Sequence, residues 1–243
     1  MKLPVFEIVR ATWRDLFGFV RRHPLALAVT LLCTAGVDYG LVRFLLEVDP
    51  RGVAAAFPSV AAAALTLMIW LPCIFASIRS AVSAQSAPIE LLNLLSPTTA
   101  RYFDLSLLLS LPALVLLPLA SAHPAFGLPM AALVGVAIFL ELRTTLAFTA
   151  LALGLHHPDP LASYRLTSGQ TLRLLAILIL SLLPFGALSL LGSLGNHEML
   201  IDMLGEPLAA ILLSSATGIA GLIAPLAGAH VYRAMIVEMD APV

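Results

Sequence analysis

Six long apolar stretches run along the chain, at about 24–46, 54–80, 103–122, 127–153, 172–194 and 207–235. Each matches or exceeds the roughly 20 residues that a helix needs to span a hydrocarbon core. Within them apolar residues fill every side rather than one stripe, as in helices surrounded by lipid or by other helices. The pattern predicts six transmembrane helices. Pro72, Pro112, Pro118, Pro184 and Pro225 fall inside these stretches. Membrane helices accept proline because neighbouring groups satisfy the freed carbonyl, and kinks are expected there.

Residues 4–20 have a different period. Phe6, Val9, Trp13, Leu16, Phe17 and Val20 recur at three- and four-residue steps, with Glu7, Arg10, Arg14 and Arg21 on the opposite side. This is an amphipathic helix with a basic polar face. It suits either the headgroup plane or the inner end of the bundle. Two links between spans look like further interfacial segments: Pro88–Leu95 before the break at Pro97, and His156–Arg173 with a short helix around Tyr164 and Arg165. The chain therefore reads as three units, each an interfacial segment followed by a helical hairpin. The hairpins begin near residues 24, 103 and 172.

Composition agrees with a membrane protein. Apolar residues make up 60% and charged residues 11% of the 243, against about 25% charged in soluble domains. A net charge of −1 argues against nucleic acid as a partner. The first apolar stretch begins at Pro24, is long for a signal peptide and lacks a small-residue cleavage motif, so it reads as a retained span. Cys33 lacks the small residues that would precede a lipoprotein cysteine. Cys33 and Cys73 both lie in apolar stretches and are expected as free thiols. The expected fold is all-α: one polytopic membrane bundle over residues 1–243, with about six spans and amphipathic interfacial helices.

Basic residues set sidedness. Lys2, Arg10, Arg14, Arg21, Arg22, Arg79, Arg101, Arg165, Arg173 and Arg233 fall on one side of a six-span layout. The other side has Arg43 and Arg51, beside Glu47 and Asp49. The link 196–206 carries Glu198, Asp202 and Glu206 without a basic residue. Both termini are expected in the cytoplasm.

Residues 158–180 read PDPLASYRLTSGQTLRLLAILIL: a Ser, a Tyr-Arg-Leu-Thr core, then a Leu-Arg-Leu step into a membrane helix. This stretch resembles the YciC-like family of bacterial inner-membrane proteins. The opening EIVRATWRDLFGFVRRHPLALAVTLLCTAGV and the ending HVYRAMIV are similar to that family's first and last helices. The resemblance covers most of the chain in layout and these three stretches in residues. It implies a multi-pass bacterial inner-membrane location. It supplies no reaction and no catalytic residue.

Ionisable side chains at membrane depth cost about 2.5–3.5 kcal/mol each on the insertion scale and require partners. Asp38, Glu141 and Arg143 fall near mid-depth. Glu141 and Arg143 are two residues apart, so they point to nearly opposite sides of one helix. Thr145 and Thr149 continue the Glu141 face at four-residue steps. The five residues form a candidate intramembrane polar cluster, with Asp38 the expected partner of Arg143. Arg79 is the other candidate partner for Glu141, unless that carboxyl is protonated.

His156, His157 and Asp159 lack a well-spaced third metal ligand. His197-Glu198 is not part of a His-Glu-x-x-His motif, because residue 201 is Ile. No phosphate loop, dinucleotide fingerprint or nucleophile elbow occurs. The expectation is a protein without catalytic activity, cofactor or metal. It would organise envelope partners or lipid in the inner membrane, with the bilayer as its certain partner and homo-oligomerisation open. A small-solute carrier or channel using the polar cluster is the alternative. A water-filled cavity reaching Glu141 would favour transport. A filled bundle with a paired Arg143 would favour the structural role.

Overall fold

A computed structural model describes residues 3–47, 53–83, 87–90, 96–122, 127–194 and 206–237. All regular structure among them is helical. The helices are α1 (Val5–Arg22), α2 (Pro24–Glu47), α3 (Val53–Ser83), α4 (Pro97–Ala122), α5 (Gly127–Ala152), α6 (Pro160–Leu166), α7 (Thr171–Leu194) and α8 (Glu206–Tyr232). A π-helical turn, Arg233–Val237, extends α8. Helices continue through Pro72, Pro112, Pro118, Pro184 and Pro225. The links at Pro88–Leu95, Ser121–Phe126 and 196–206 lie wholly or partly outside the described residues.

Four segments are long and apolar enough to cross a membrane: Pro24–Leu41, Phe57–Ser83, Gly127–Ala152 and Gly218–Ile236. A fifth is made by α6 with Thr171–Phe185 if that pair, bent by 100°, counts as one span. Their outer faces are apolar. Leu25, Val29 and Leu32 on α2 are exposed, as are Leu133 and Val136 on α5 and Leu172, Ile179 and Leu183 on α7. Contiguous apolar surface on this scale is a surface for lipid.

α8 is the central helix and touches α1, α2, α3, α5 and α7. Small residues let its neighbours approach. A Cβ on Gly218 would lie 2.1 Å from the Trp70 ring of α3, and one on Gly228 would lie 2.6 Å from Thr145 Oγ1 of α5. Close backbone approach of this kind drives helix association in lipid, where no hydrophobic force acts between helices. The indole N–H of Trp70 donates to Thr34 Oγ1 on α2 at 2.9 Å, so α2, α3 and α8 meet at one point. Cys33 is exposed on α2, while Cys73 is buried on α3 with its sulfur 3.5 Å from the Thr30 hydroxyl.

α1 is docked along one face. Ile8, Thr12, Leu16 and Phe19 are buried, and Trp13 stacks on Phe185 of α7. Phe6 and Phe17 point outward. The apolar side of α1 is thus divided between the bundle and its surroundings.

α5 ends at Gly154, whose φ of +79° takes the left-handed conformation that favours glycine. Leu155 N–H bonds back to Ala150 O there, as at a glycine-terminated helix end. α6 is nucleated by Asp159, whose carboxylate accepts from Ala162 N–H at 2.7 Å, with Pro160 opening the helix.

The basic link residues gather through contacts between helix ends. Arg79 Nε donates to Ala152 O and pairs with Glu90 at 3.2 Å. Arg101 lies 3.4 Å from His156, and Arg173 donates to Leu3 O.

Candidate functional site

The five candidate polar residues do not form one cluster. Glu141 and Thr145 open on a cavity of about 310 Å³ between α3, α4, α5, α7 and α8. Thr149, one turn further along α5, is buried, and its hydroxyl donates to Thr145 O. Asp38 is half-buried on α2 and does not line the cavity.

Arg143 turns away from the cavity, as its two-residue offset from Glu141 requires. The expected partnership with Asp38 is not present: no ion pair joins Arg143 to an acid among the described residues. Its guanidinium donates to Thr171 Oγ1 at 3.0 Å and to Tyr164 O, and lies 4.1 Å from the centre of the Tyr164 ring. Phe139 flanks it at 5.8 Å. The carbonyl of Arg143 accepts from the hydroxyls of Ser163 and Thr167. The reason is topological. Residues 156–170 fold back along α5, so the turn between α6 and α7 arrives at the level of Arg143. A cation–π contact and two neutral oxygen acceptors hold the guanidinium without a buried carboxylate, while its Nε–H is buried without a hydrogen-bond partner. Ser163, Tyr164 and Thr167 belong to the stretch that carries the family resemblance; in this chain they are the dock for Arg143.

The expected pairing of Glu141 with Arg79 is also absent, since Arg79 is held by Ala152 O and Glu90. Glu141 faces α4 residues that the sequence reading did not single out. Tyr102, Ser106 and Ser110 line the same cavity at four-residue steps along one face of α4. That spacing was a legible signal: Ser106 and Ser110 fall on the side of α4 that carries Tyr102. Tyr102 is buried edge-on between Phe75 of α3 and Phe148 of α5, with ring centres at 5.1 and 5.0 Å. It fixes α4 beside both helices, which places Ser106 and Ser110 on the wall of the Glu141 cavity.

Gly221 and Pro225 of α8 form part of the opposite wall. Pro225 has no N–H, so the Gly221 carbonyl lacks its helical partner at that wall. The cavity therefore combines one carboxylate, a freed carbonyl, hydroxyls and a largely apolar lining that includes Leu67, Leu142 and Ile177. No Lys or Arg lines it among the described residues. No group of three or more His, Cys, Asp or Glu residues that could hold a metal occurs among the described residues.

No family model, curated protein or solved structure matches the chain.

Proposed function

We propose that this chain is a six-span bacterial inner-membrane protein of the YciC-like kind, with cytoplasmic termini. Its bundle binds and passes a small solute that carries a positive charge or several hydrogen-bond donors. The observation that carries this reading is the cavity at Glu141. Its volume of about 310 Å³ falls at the low end of the roughly 300–1,000 Å³ of small-molecule sites. Its one carboxylic acid among the described residues is Glu141, and its hydroxyls can accept as well as donate, so it suits a cation or a hydrogen-bond donor. Arg143 points away and is held by Thr171 and Tyr164, so the Glu141 carboxylate is not neutralised by its neighbour on α5. Of the two readings the sequence left open, carrier and organiser of envelope partners, this arrangement supports the carrier.

The six-span layout rests on four clear spans, the bent α6–α7 pair, and α4, whose 26 residues make a helix about 39 Å long at 1.5 Å per residue. The inner-membrane location and orientation rest on the basic bias and the family resemblance. In support, Arg79, Arg101 and Arg173 each contact the end of another helix or the link beside it. No catalytic step is proposed.

The test has two arms. In a variant lacking Cys33 and Cys73, Ser110→Cys is exposed to a water-soluble methanethiosulfonate in native membranes, with Ala76→Cys as the buried control. Proteoliposomes of the wild-type chain and of Glu141→Gln are then assayed for uptake of labelled tetraethylammonium. The expected result is reaction at Ser110→Cys alone, with uptake that Glu141→Gln abolishes. An unreactive Ser110→Cys together with absent uptake overturns the carrier reading in favour of the organiser.

A further inference from the structure

A second pocket lies apart from the Glu141 cavity, where the end of α1 meets α3 and the turn after α8. It encloses about 160 Å³. Three guanidinium groups line it, from Arg14 and Arg22 on α1 and from Arg233 on the π-helical turn, together with Asp15, Ser77 and Ser80. Asp15 offsets only part of this charge. Its carboxylate is shared between Arg14 at 3.1 Å and His230 of α8, whose Nε2 lies 3.2 Å away. The contact with His230 is electrostatic rather than an aligned hydrogen bond. The Ser80 hydroxyl accepts from Ala87 N–H at 3.1 Å, which leaves its own O–H to donate. The pocket thus brings three arginines and a hydroxyl donor around space large enough for a small anion. Arginines converging in this way recognise phosphate through parallel N–H···O bonds.

We propose that this pocket binds a phosphate group, and that the group belongs to an anionic phospholipid headgroup. Its setting supports a lipid. The pocket is built from the ends of membrane helices at the arginine-rich end of the bundle. Phe17, on the α1 turn between Arg14 and Arg22, is 58% exposed. An outward aromatic beside a basic pocket suits a headgroup held at the interface with its acyl chains alongside. The inference stands independently of the carrier reading, because it shares no lining residue with the Glu141 cavity.

The test uses the full-length chain in neutral detergent. Binding of phosphatidylglycerol, phosphatidylcholine and inorganic phosphate is measured by native mass spectrometry and by thermal stabilisation. Variants are Arg22→Gln/Arg233→Gln, the charge-retaining Arg22→Lys/Arg233→Lys, and Arg10→Gln on the exposed face of α1. Wild type should prefer phosphatidylglycerol over phosphatidylcholine. The double Gln variant should bind phosphatidylglycerol about 30-fold more weakly. The Lys variant should retain part of the affinity and show that the fold survives. Arg10→Gln should match wild type. Inorganic phosphate that competes fully with phosphatidylglycerol and also depends on Arg22 and Arg233 would keep the phosphate site but assign it to a free phosphate. Equal losses in Arg10→Gln and the double Gln variant, or no preference for phosphatidylglycerol and no phosphate binding, would overturn the proposal.

Discussion

The guanidinium of Arg143 lies over the ring of Tyr164, 4.1 Å from its centre, while donating to the carbonyl of the same residue. One side chain of α5 thereby holds α6, and through Thr171 it also holds the first turn of α7. Arg143→Leu removes two charge-assisted hydrogen bonds and the ring contact. The loss should be on the order of 2–3 kcal/mol, read as a lower melting temperature in detergent. Tyr164→Leu should lose about 1 kcal/mol. The double variant should lose less than the sum, because the ring contact is counted in both singles. Asp38→Leu should not rescue Arg143→Leu; recovery in that pair would restore Asp38 as the partner.

Gly228 sets the spacing of α5 and α8. An added methyl would fall 2.6 Å from Thr145 Oγ1, too close unless the Thr145 side chain or one helix shifts. Gly228→Ala should cost roughly 1–3 kcal/mol, as overpacking does. Thr145→Ala in the same chain removes the clashing oxygen and should recover much of that loss. Stability to thermal unfolding checks both. Strictly additive effects would show that the two helices do not meet at this point.

Asp15 links stability to acid. Burial by itself would raise its pKa, but the close contacts and charges of His230 and Arg14 outweigh burial and hold it below the ordinary 3.8. A carboxylate depressed in the folded state stabilises fully above its unfolded value. That contribution disappears as pH falls from about 3.8 through the lower folded value. His23 acts at higher pH. Burial and then the charge of Arg22 hold it below 6.5, so acid favours the unfolded chain as pH drops from about 6.5. Melting temperatures from pH 8 to pH 3 should show both losses. Asp15→Asn should remove the lower one and His23→Gln the upper one. Unchanged profiles would remove these groups as the cause.

Orientation has a direct test. With cytoplasmic termini, a reporter that is active only in the periplasm and is fused after Val243 should be silent. The same reporter placed in the acidic link 196–206 should be active. The reverse pattern would invert the topology.

The apolar runs fixed where the helices lie, because length and composition alone decide whether a segment can bury its backbone in lipid. Five of the six expected spans begin and end within a few residues of α2, α3, α5, α7 and α8, and the short helix around Tyr164 is α6. α4 starts at Pro97 rather than 103, since proline is well placed to open a helix and Thr98, Thr99 and Arg101 extend its first turns. That Glu141 and Arg143 face apart was also legible, from helical geometry alone. Their neighbours were not. Which helix lies against each face depends on close contacts such as Gly228 on Thr145, and on a link that folds back along α5. Neither leaves a period in the sequence. The tertiary structure therefore decided that Arg143 meets Tyr164 and Thr171, that Asp38 stands apart, and that Ser106 and Ser110 share a cavity with Glu141.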